Sequence, residues 1–261
     1  MAFSHRFHRR AAVAALALLG LSFGAVAQAD DSLQRVQAKQ TLVIGNGGAY
    51  PPFEFVENGK LSGYDIELGE ELGRRMNLKV EWRVTEFTGL IGALTSKRVD
   101  MLLTAFGKTA ERAQKIAFSE PYYVTGNTAA YKPGLDMRSI DKLAGKVIGV
   151  QAGSPSEKLV RDHASKTAKS IQSYSNINLA LRDLEVGRVE VVVNLAPVLA
   201  YTLTRKPDHG LEVGPIWEPR GISANTRLED KALLAEIDKQ FAAMRADGFT
   251  ERLNLKWFGS K

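Results

Sequence analysis

Residues 102–123 read LLTAFGKTAERAQKIAFSEPYY. An apolar run ends in Ala-Phe-Gly and passes at once to Thr109, a helix-capping residue type, three positions ahead of a lone arginine, Arg112. A buried strand needs no such ending. A small-molecule site at the carboxyl edge of a sheet does use one, because a strand end, a helix start and a cation then meet in one place. Taken alone, Arg112 reads rather as a solvated arginine on a helix face.

Outward from this stretch, short β-branched and apolar runs alternate with helical patterns. TLVI (41–44), LKVEWRV (78–84), VDMLLT (99–104), KVIGV (146–150), SIQSY (170–174) and VEVVVN (189–194) predict strands. Leu68, Leu72 and Met76 fall four residues apart behind Asp65, which predicts a helix capped there. Thr88 is the expected cap of a second helix carrying Leu90, Ile91 and Leu94. FEFVENGKL (53–61) predicts a hairpin turning at Asn58-Gly59, where positive φ is easy. A last helix is expected from about 230 to 247, closed by Gly248. The alternation predicts an α/β fold with mainly parallel strands. Strand, helix, strand, helix, strand up to Thr104 repeats from Lys146 to Asn194, so two lobes are expected, with a ligand cleft at the carboxyl ends of their strands.

The first 29 residues carry Arg6, Arg9 and Arg10 without an acid, then an apolar run over 11–21, then Ala27-Gln28-Ala29. That is the order of a secretory signal peptide, so export by the general secretory route and a periplasmic location are expected. The 261-residue chain holds 35 basic and 29 acidic residues, a net charge of +6. Without the three leader arginines, 32 basic residues remain and the net charge is +3. The basicity therefore belongs largely to the leader and does not point to nucleic acid. There is no cysteine, which excludes disulfides and a lipidated N-terminal cysteine. No second apolar run is long enough to span a bilayer, and a free soluble protein is expected after export.

Six blocks follow one another along the chain: AYPPFEF (49–55), GKLSGYDIELGEELGRRMN (59–77), KRVDMLLTAFGKTAERAQKIAFSEPYY (97–123), LAGKVIGVQAGSPSEKLV (143–160), LEVGRVEVVVN (184–194) and FAAMRADGFTERLNLKWFG (241–259). In this order they resemble the periplasmic solute-binding proteins of polar amino-acid ABC transporters, over essentially all of the chain after the leader. The co-linearity carries the resemblance; no single block does. It implies a type II two-lobed α/β fold joined by two crossover strands. Residues 30–125 and 217–261 would form lobe 1 and residues 126–216 lobe 2, with EPYYVTG (120–126) opening one crossover and residues 213–223 forming the other. A small solute is then captured between the lobes and passed to an inner-membrane ABC permease, and the monomer is the usual state.

The same resemblance implies the site. Arg112 matches the family arginine that grips the solute α-carboxylate, for which a planar guanidinium offers a bidentate match. Tyr50 and Phe87 match positions that wall the pocket, although each also reads as core. Phe106 is a further candidate wall, and Thr104, Ala105 and Gly107 belong to the strand end beside it. In the second half, Gly153 and Ser154 open GSPSE, with Ser154 at an N-cap, Pro155 at N1 and Glu157 at N3. This is either a plain helix start or one whose N–H groups face a carboxylate in the cleft. Pro155 supplies no N–H where relatives often have threonine.

Two departures bear on the solute. Leu195 stands where amino-acid binders place an ammonium-holding aspartate, with Asn194 beside it, and hydroxyl-bearing positions are replaced by Ala105 and Gly107. A buried ammonium without a carboxylate partner is costly. The expectation is a carboxylate-bearing solute without a strongly held ammonium, or an amine met by Asn194, Thr104 and backbone carbonyls.

An enzyme is the main alternative, since some relatives on this fold are secreted dehydratases acting on arogenate or prephenate. Such chemistry needs an acid in the cleft to protonate the leaving hydroxyl, and NLAPVLAY (194–201) offers none. Glu54, Glu86 and Glu120 read as surface or hinge packing. A sensory module serving a membrane receptor shares every feature described. After the leader only His163 and His209 are available as histidine ligands, so no metal is expected. GNGG (45–48) lacks the third glycine of a dinucleotide fingerprint; no cofactor and no catalytic residue are expected.

Overall fold

A computed structural model describes residues 30–205 and 210–259. The expected signal peptide and His209 lie outside the described residues. The chain enters through α1 (Ser32–Lys39) and β1 (Thr41–Asn46), then a meander of β2 (Ala49–Tyr50), β3 (Glu54–Glu57) and β4 (Lys60–Ser62). The meander turns at Asn58-Gly59 with φ of 51° and 77°, the left-handed pair expected there. Next come α2 (Tyr64–Met76), β5 (Lys79–Val84), α3 (Leu90–Thr95), β6 (Met101–Gly107), the one-turn α4 (Ala110–Ala113) and β7 (Ile116–Phe118). The long β8 (Tyr123–Tyr131) leads to β9 (Val147–Gln151), α5 (Pro155–Ala164), β10 (Ser170–Tyr174), α6 (Ile177–Glu185), β11 (Val191–Leu195) and α7 (Ala196–Thr204). Finally β12 (Glu212–Val213) and β13 (Trp217–Arg227) return the chain to α8 (Lys231–Ala246) and α9 (Phe249–Phe258).

The main sheet runs β10-β9-β11-β8-β13-β6-β1-β5. β1 lies parallel to β5 and β6, and β9 lies parallel to β10 and β11. Each half thus places its first strand between its second and third, which is the internal repeat read from the sequence. β8 runs antiparallel to β11, β13 runs antiparallel to β6, and the two pair with each other from Tyr123–Ile222 to Asn127–Trp217. These are the two crossovers of a two-lobed α/β fold. Gly126 sits where they cross, and a Cβ there would lie 2.5 Å from Ile216 Cγ2 and from the Trp217 carbonyl oxygen. The return crossover begins at Trp217; Val213, placed in it by the sequence reading, belongs to the short β12 instead.

Helices on both faces bury β6 along its whole length, as expected of a parallel strand. Met101, Leu103 and Ala105 join Leu42, Ile44, Leu68 and Leu72 on one face; Leu102 and Phe106 join Leu90, Leu94 and Ile116 on the other. In the second half Val191 and Val193 pack with Ile148 and Val160, while Val192 and Leu195 pack with Ile177, Leu181 and Leu184.

Two local expectations are corrected and a third is extended. Helix α2 is capped by Gly63, at φ 132°, not by Asp65. The backbone approaches so closely that a Cβ on Gly63 would lie 2.2 Å from the Phe53 carbonyl oxygen. Asp65 lies inside the first turn, fully buried, and its Oδ2 accepts the Ala105 N–H at 2.7 Å. Thr88 forms no cap: it lies in a 3₁₀ turn over Phe87–Gly89, and Gly89 precedes α3. Gly248 does end α8, but at φ 77° it also starts α9, which brings Phe258 onto the rings of Phe53 and Tyr123 at centroid separations of 5.4 and 4.3 Å. Among the described residues no helix is long and apolar enough to cross a membrane.

Candidate functional site

The segment that opens the sequence reading folds around Arg112. β6 ends at Gly107, and the Thr109 hydroxyl accepts the Arg112 N–H at 3.2 Å, capping α4 as expected. One helical turn then sends the arginine back over the strand end. Its guanidinium lies 3.6 Å from the centroid of the Phe106 ring and 5.5 Å from that of Phe87. Nη1 donates to the Gly107 carbonyl at 2.8 Å, and Nη2 donates across the cleft to the Gly153 carbonyl at 3.0 Å. Arg112 is 8% exposed, so it is not a solvated surface arginine. Its partners are neutral carbonyls; no described carboxylate forms an ion pair with it. Burial, reinforced by the charge of Arg220, pushes the guanidinium down to about 10.

Opposite Arg112 stands the start of α5. The Ser154 hydroxyl accepts the Glu157 N–H at 3.0 Å, the expected cap. The return bond falls one residue early: Glu157 Oε2 accepts from the Gly153 N–H at 2.7 Å, while the Ser154 N–H goes to the Gln151 carbonyl. Three donors are therefore engaged within the protein and Pro155 has none, so this helix start offers fewer free N–H groups than GSPSE suggests.

The lobes stand closed on each other. The Tyr50 hydroxyl donates to Asn194 Oδ1 across the cleft, and the Leu195 N–H donates to the same oxygen at 2.6 Å. A Cβ on Gly107 would be 3.2 Å from Pro155 Cγ. Lys158 pairs with Glu111 at 3.4 Å and Arg205 with Glu57 at 3.3 Å, both pairs exposed and spanning the lobes.

A narrow inner pocket remains between the lobes. Tyr50, Phe87, Ala105 and Gly107 line it from one side, Gln151, Ser154, Pro155, Ser156 and Leu195 from the other, and Arg220 from β13. A wider outer opening is edged by Thr109, Arg112, Gly153, Ser154 and Lys158. Of the residues expected from sequence, Tyr50, Phe87, Ala105, Gly107, Arg112, Gly153, Ser154 and Asn194 thus converge here. Thr104 and Phe106 stand one layer behind: Thr104 donates its hydroxyl to Glu54 Oε1 at 2.5 Å, and Phe106 supports the Arg112 guanidinium from beneath.

Two features escaped the sequence reading. Arg220, between Pro219 and Gly221 in the return crossover, enters the inner pocket with its Nε and Nη2 buried and unpartnered. Its place between Pro219 and Gly221 gave no sequence signal, because β13 (WEPRGISANTR) carries other polar and charged residues. Glu54, read as surface or hinge packing, is 1% exposed and lies beside the buried Asp65. Burial and the neighbouring Asp65 push Glu54 well above the usual carboxylate range. Burial raises Asp65 to about 7, against the opposing bonds from Tyr122 and the Ala105 N–H. Among the described residues, no cluster of three or more potential metal ligands occurs.

Residues 42–260 match the model for bacterial extracellular solute-binding proteins, family 3. The L-cystine-binding protein TcyJ of Escherichia coli (strain K12) is 30% identical over 232 residues, covering 87% of this chain and 86% of that protein. An ancestral arginine-binding protein bound to arginine superposes with a TM-score of 0.80 at 32% identity, covering 84% of this chain and 98% of that one. The ancestral amino acid-binding protein AncCDT-1, a precursor of cyclohexadienyl dehydratase, gives 0.80 at 28% identity over 87% and 99% of the two chains. With the family model spanning nearly all of the described residues and relatives matched almost end to end, the chain belongs to the bacterial extracellular solute-binding proteins, family 3.

Proposed function

We propose that the chain captures an amino acid or a related small carboxylate between its lobes and delivers it to an ABC permease. One observation carries this reading: Arg112, a buried cation without a counterion, reaches both Gly107 in one lobe and Gly153 in the other. An entering carboxylate replaces two neutral carbonyls with charge-assisted bonds. A solute held there touches both lobes and so favours the closed state over the open one. Residues 30–125 with 217–261, and residues 126–216, are the bodies that move. Tyr50 and Phe87 wall the solute, Ala105, Gly107 and Ser154 approach it from the strand end and the α5 cap, and Asn194 meets its polar end. The leader-like segment over residues 1–29 supports export to the periplasm, and the protein acts as a monomer.

Capture rather than chemistry fits the inner pocket, whose lining residues include no acid. Arogenate and prephenate are expected to be left unconverted.

The test is thermal unfolding of residues 30–261 against amino acids, their keto and hydroxy counterparts, small dicarboxylates, arogenate and prephenate. A ligand that binds only the folded state at 100 times its Kd adds about 2.7 kcal/mol to stability. No shift with any compound overturns the reading. A shift that persists undiminished in Arg112→Ala removes the arginine from it.

A further inference from the structure

Arg112 is not the only cation in the cleft. Arg220 lines the inner pocket with Tyr50 and Leu195, and its Nε and Nη2 are buried without a hydrogen-bond partner. Its nearest acid in sequence, Glu218, lies 3.9 Å from His163 and acts on Arg220 through its charge without a hydrogen bond. The buried acids behind the strand end do not answer it either: Glu54 Oε1 accepts from Thr104, and Asp65 Oδ2 accepts from the Ala105 N–H. The two arginines converge on Gly107: Arg112 Nη1 donates to its carbonyl at 2.8 Å, and a Cβ built on it would lie 3.8 Å from Arg220 Nε. The charge of Arg220 also disfavours the charged form of Arg112. Arg112 edges the outer opening and Arg220 lines the inner pocket, and the two spaces adjoin at Ser154 and Pro155. The acids of the outer opening, Glu111, Glu157 and Asp162, pair with Lys158 and Arg161 and not with Arg112, while Leu195 adds an apolar surface to the inner pocket.

We propose that Arg220 forms a second anion subsite beside Arg112, so that the preferred solute is a small dianion, a dicarboxylate with or without an amine. The subsite rests on the capture reading above and narrows its solute class. One carboxylate goes to Arg112 at the junction of the lobes and the other to Arg220 at the crossover. Each exchanges an unmade or neutral bond for a charge-assisted one, and the solute brings the two negative charges that the pocket lacks. Because Arg220 belongs to β13, the strand that links the lobes, occupation of both subsites ties the solute to the crossover as well as to the lobe faces.

The experiment is titration calorimetry on residues 30–261 with two matched pairs, glutamate against glutamine and succinate against succinamate. Within each pair one carboxylate becomes an amide of nearly the same shape. The expected result is at least tenfold tighter binding of the acid in one pair or both. Arg220→Gln should bring that ratio close to one, and Arg220→Lys should retain part of it. Thermal unfolding of each unliganded variant reports whether it folds. Equal affinity for acid and amide, or a ratio unchanged in Arg220→Gln, overturns the subsite; capture through Arg112 survives if Arg112→Gln still weakens binding. If none of the four compounds binds while arginine or cystine raises the unfolding transition, the dianion proposal falls and capture stands. If nothing binds, both fall.

Discussion

The Arg112 guanidinium donates to the Gly153 carbonyl at 3.0 Å, and Gly153 lies 41 residues further along the chain, on the opposite lobe. A single side chain thus joins the lobes at this point, and in the proposed capture a carboxylate would replace the tie. Arg112→Ala is expected to weaken binding of every carboxylate ligand at least 100-fold, about 2.7 kcal/mol. Stability of the unliganded protein should change little or rise, because an uncompensated buried cation is removed. Calorimetric titration and thermal unfolding of the same variant separate the two effects.

Leu195 lines the inner pocket next to Asn194, which already accepts bonds from Tyr50 and from the Leu195 N–H. An aspartate there would give an amine the anion it lacks, and would meet the second carboxylate of a dianion with like charge. Leu195→Asp is therefore expected to raise affinity for amino acids over their keto and hydroxy counterparts at least tenfold, read by competition against one reference ligand.

The buried Glu54–Asp65 pair makes stability depend on pH. Asp65 is raised in the folded protein from 3.8 to about 7, so the folded state binds more protons than the unfolded chain between these values. The resulting stabilisation is present in full below about pH 4 and is lost as pH rises toward 7. Asp65→Asn retains an acceptor for the Ala105 N–H and removes the titration. Urea unfolding from pH 4 to 8 should show a flatter profile for the variant, with its largest relative gain above pH 7.

Gly126 lies at the crossing of β8 and β13, where an added methyl would meet Ile216 and the Trp217 carbonyl at 2.5 Å. Overpacking of this kind costs about 1–3 kcal/mol. Gly126→Ala is expected to lower the urea midpoint by a corresponding amount without changing the denaturant slope, since the folded surface is the same.

Much of this architecture follows from local chemistry. The Asn58-Gly59 turn, the Thr109 cap and the Ser154 cap each depend on residues within three positions of one another, and the structure places all three where the sequence does. The strand alternation also reads directly, because two faces buried under helices demand predominantly apolar runs such as residues 101–106, where Thr104 is the one polar residue. Where a close backbone approach decides the outcome, local reading fails. Asp65 looks like a cap, but contact between Gly63 and Phe53 sets the helix start and turns Asp65 inward.

The sequence by itself determined the order of the main strands, the internal repeat and the position of Arg112 in the helical turn just beyond a strand end, since periodicity and capping act over a few residues. Tertiary structure alone decided which polar groups share one enclosed space. Thr104 meets Glu54 across 50 residues of chain, Tyr50 meets Asn194 across 144, and Arg220 arrives on a crossover strand that no local pattern distinguishes from core. Burial is a property of the packed whole, and it turns a glutamate read as surface or hinge packing into a buried acid beside Asp65 and an unremarked arginine into a second buried cation lining the cleft.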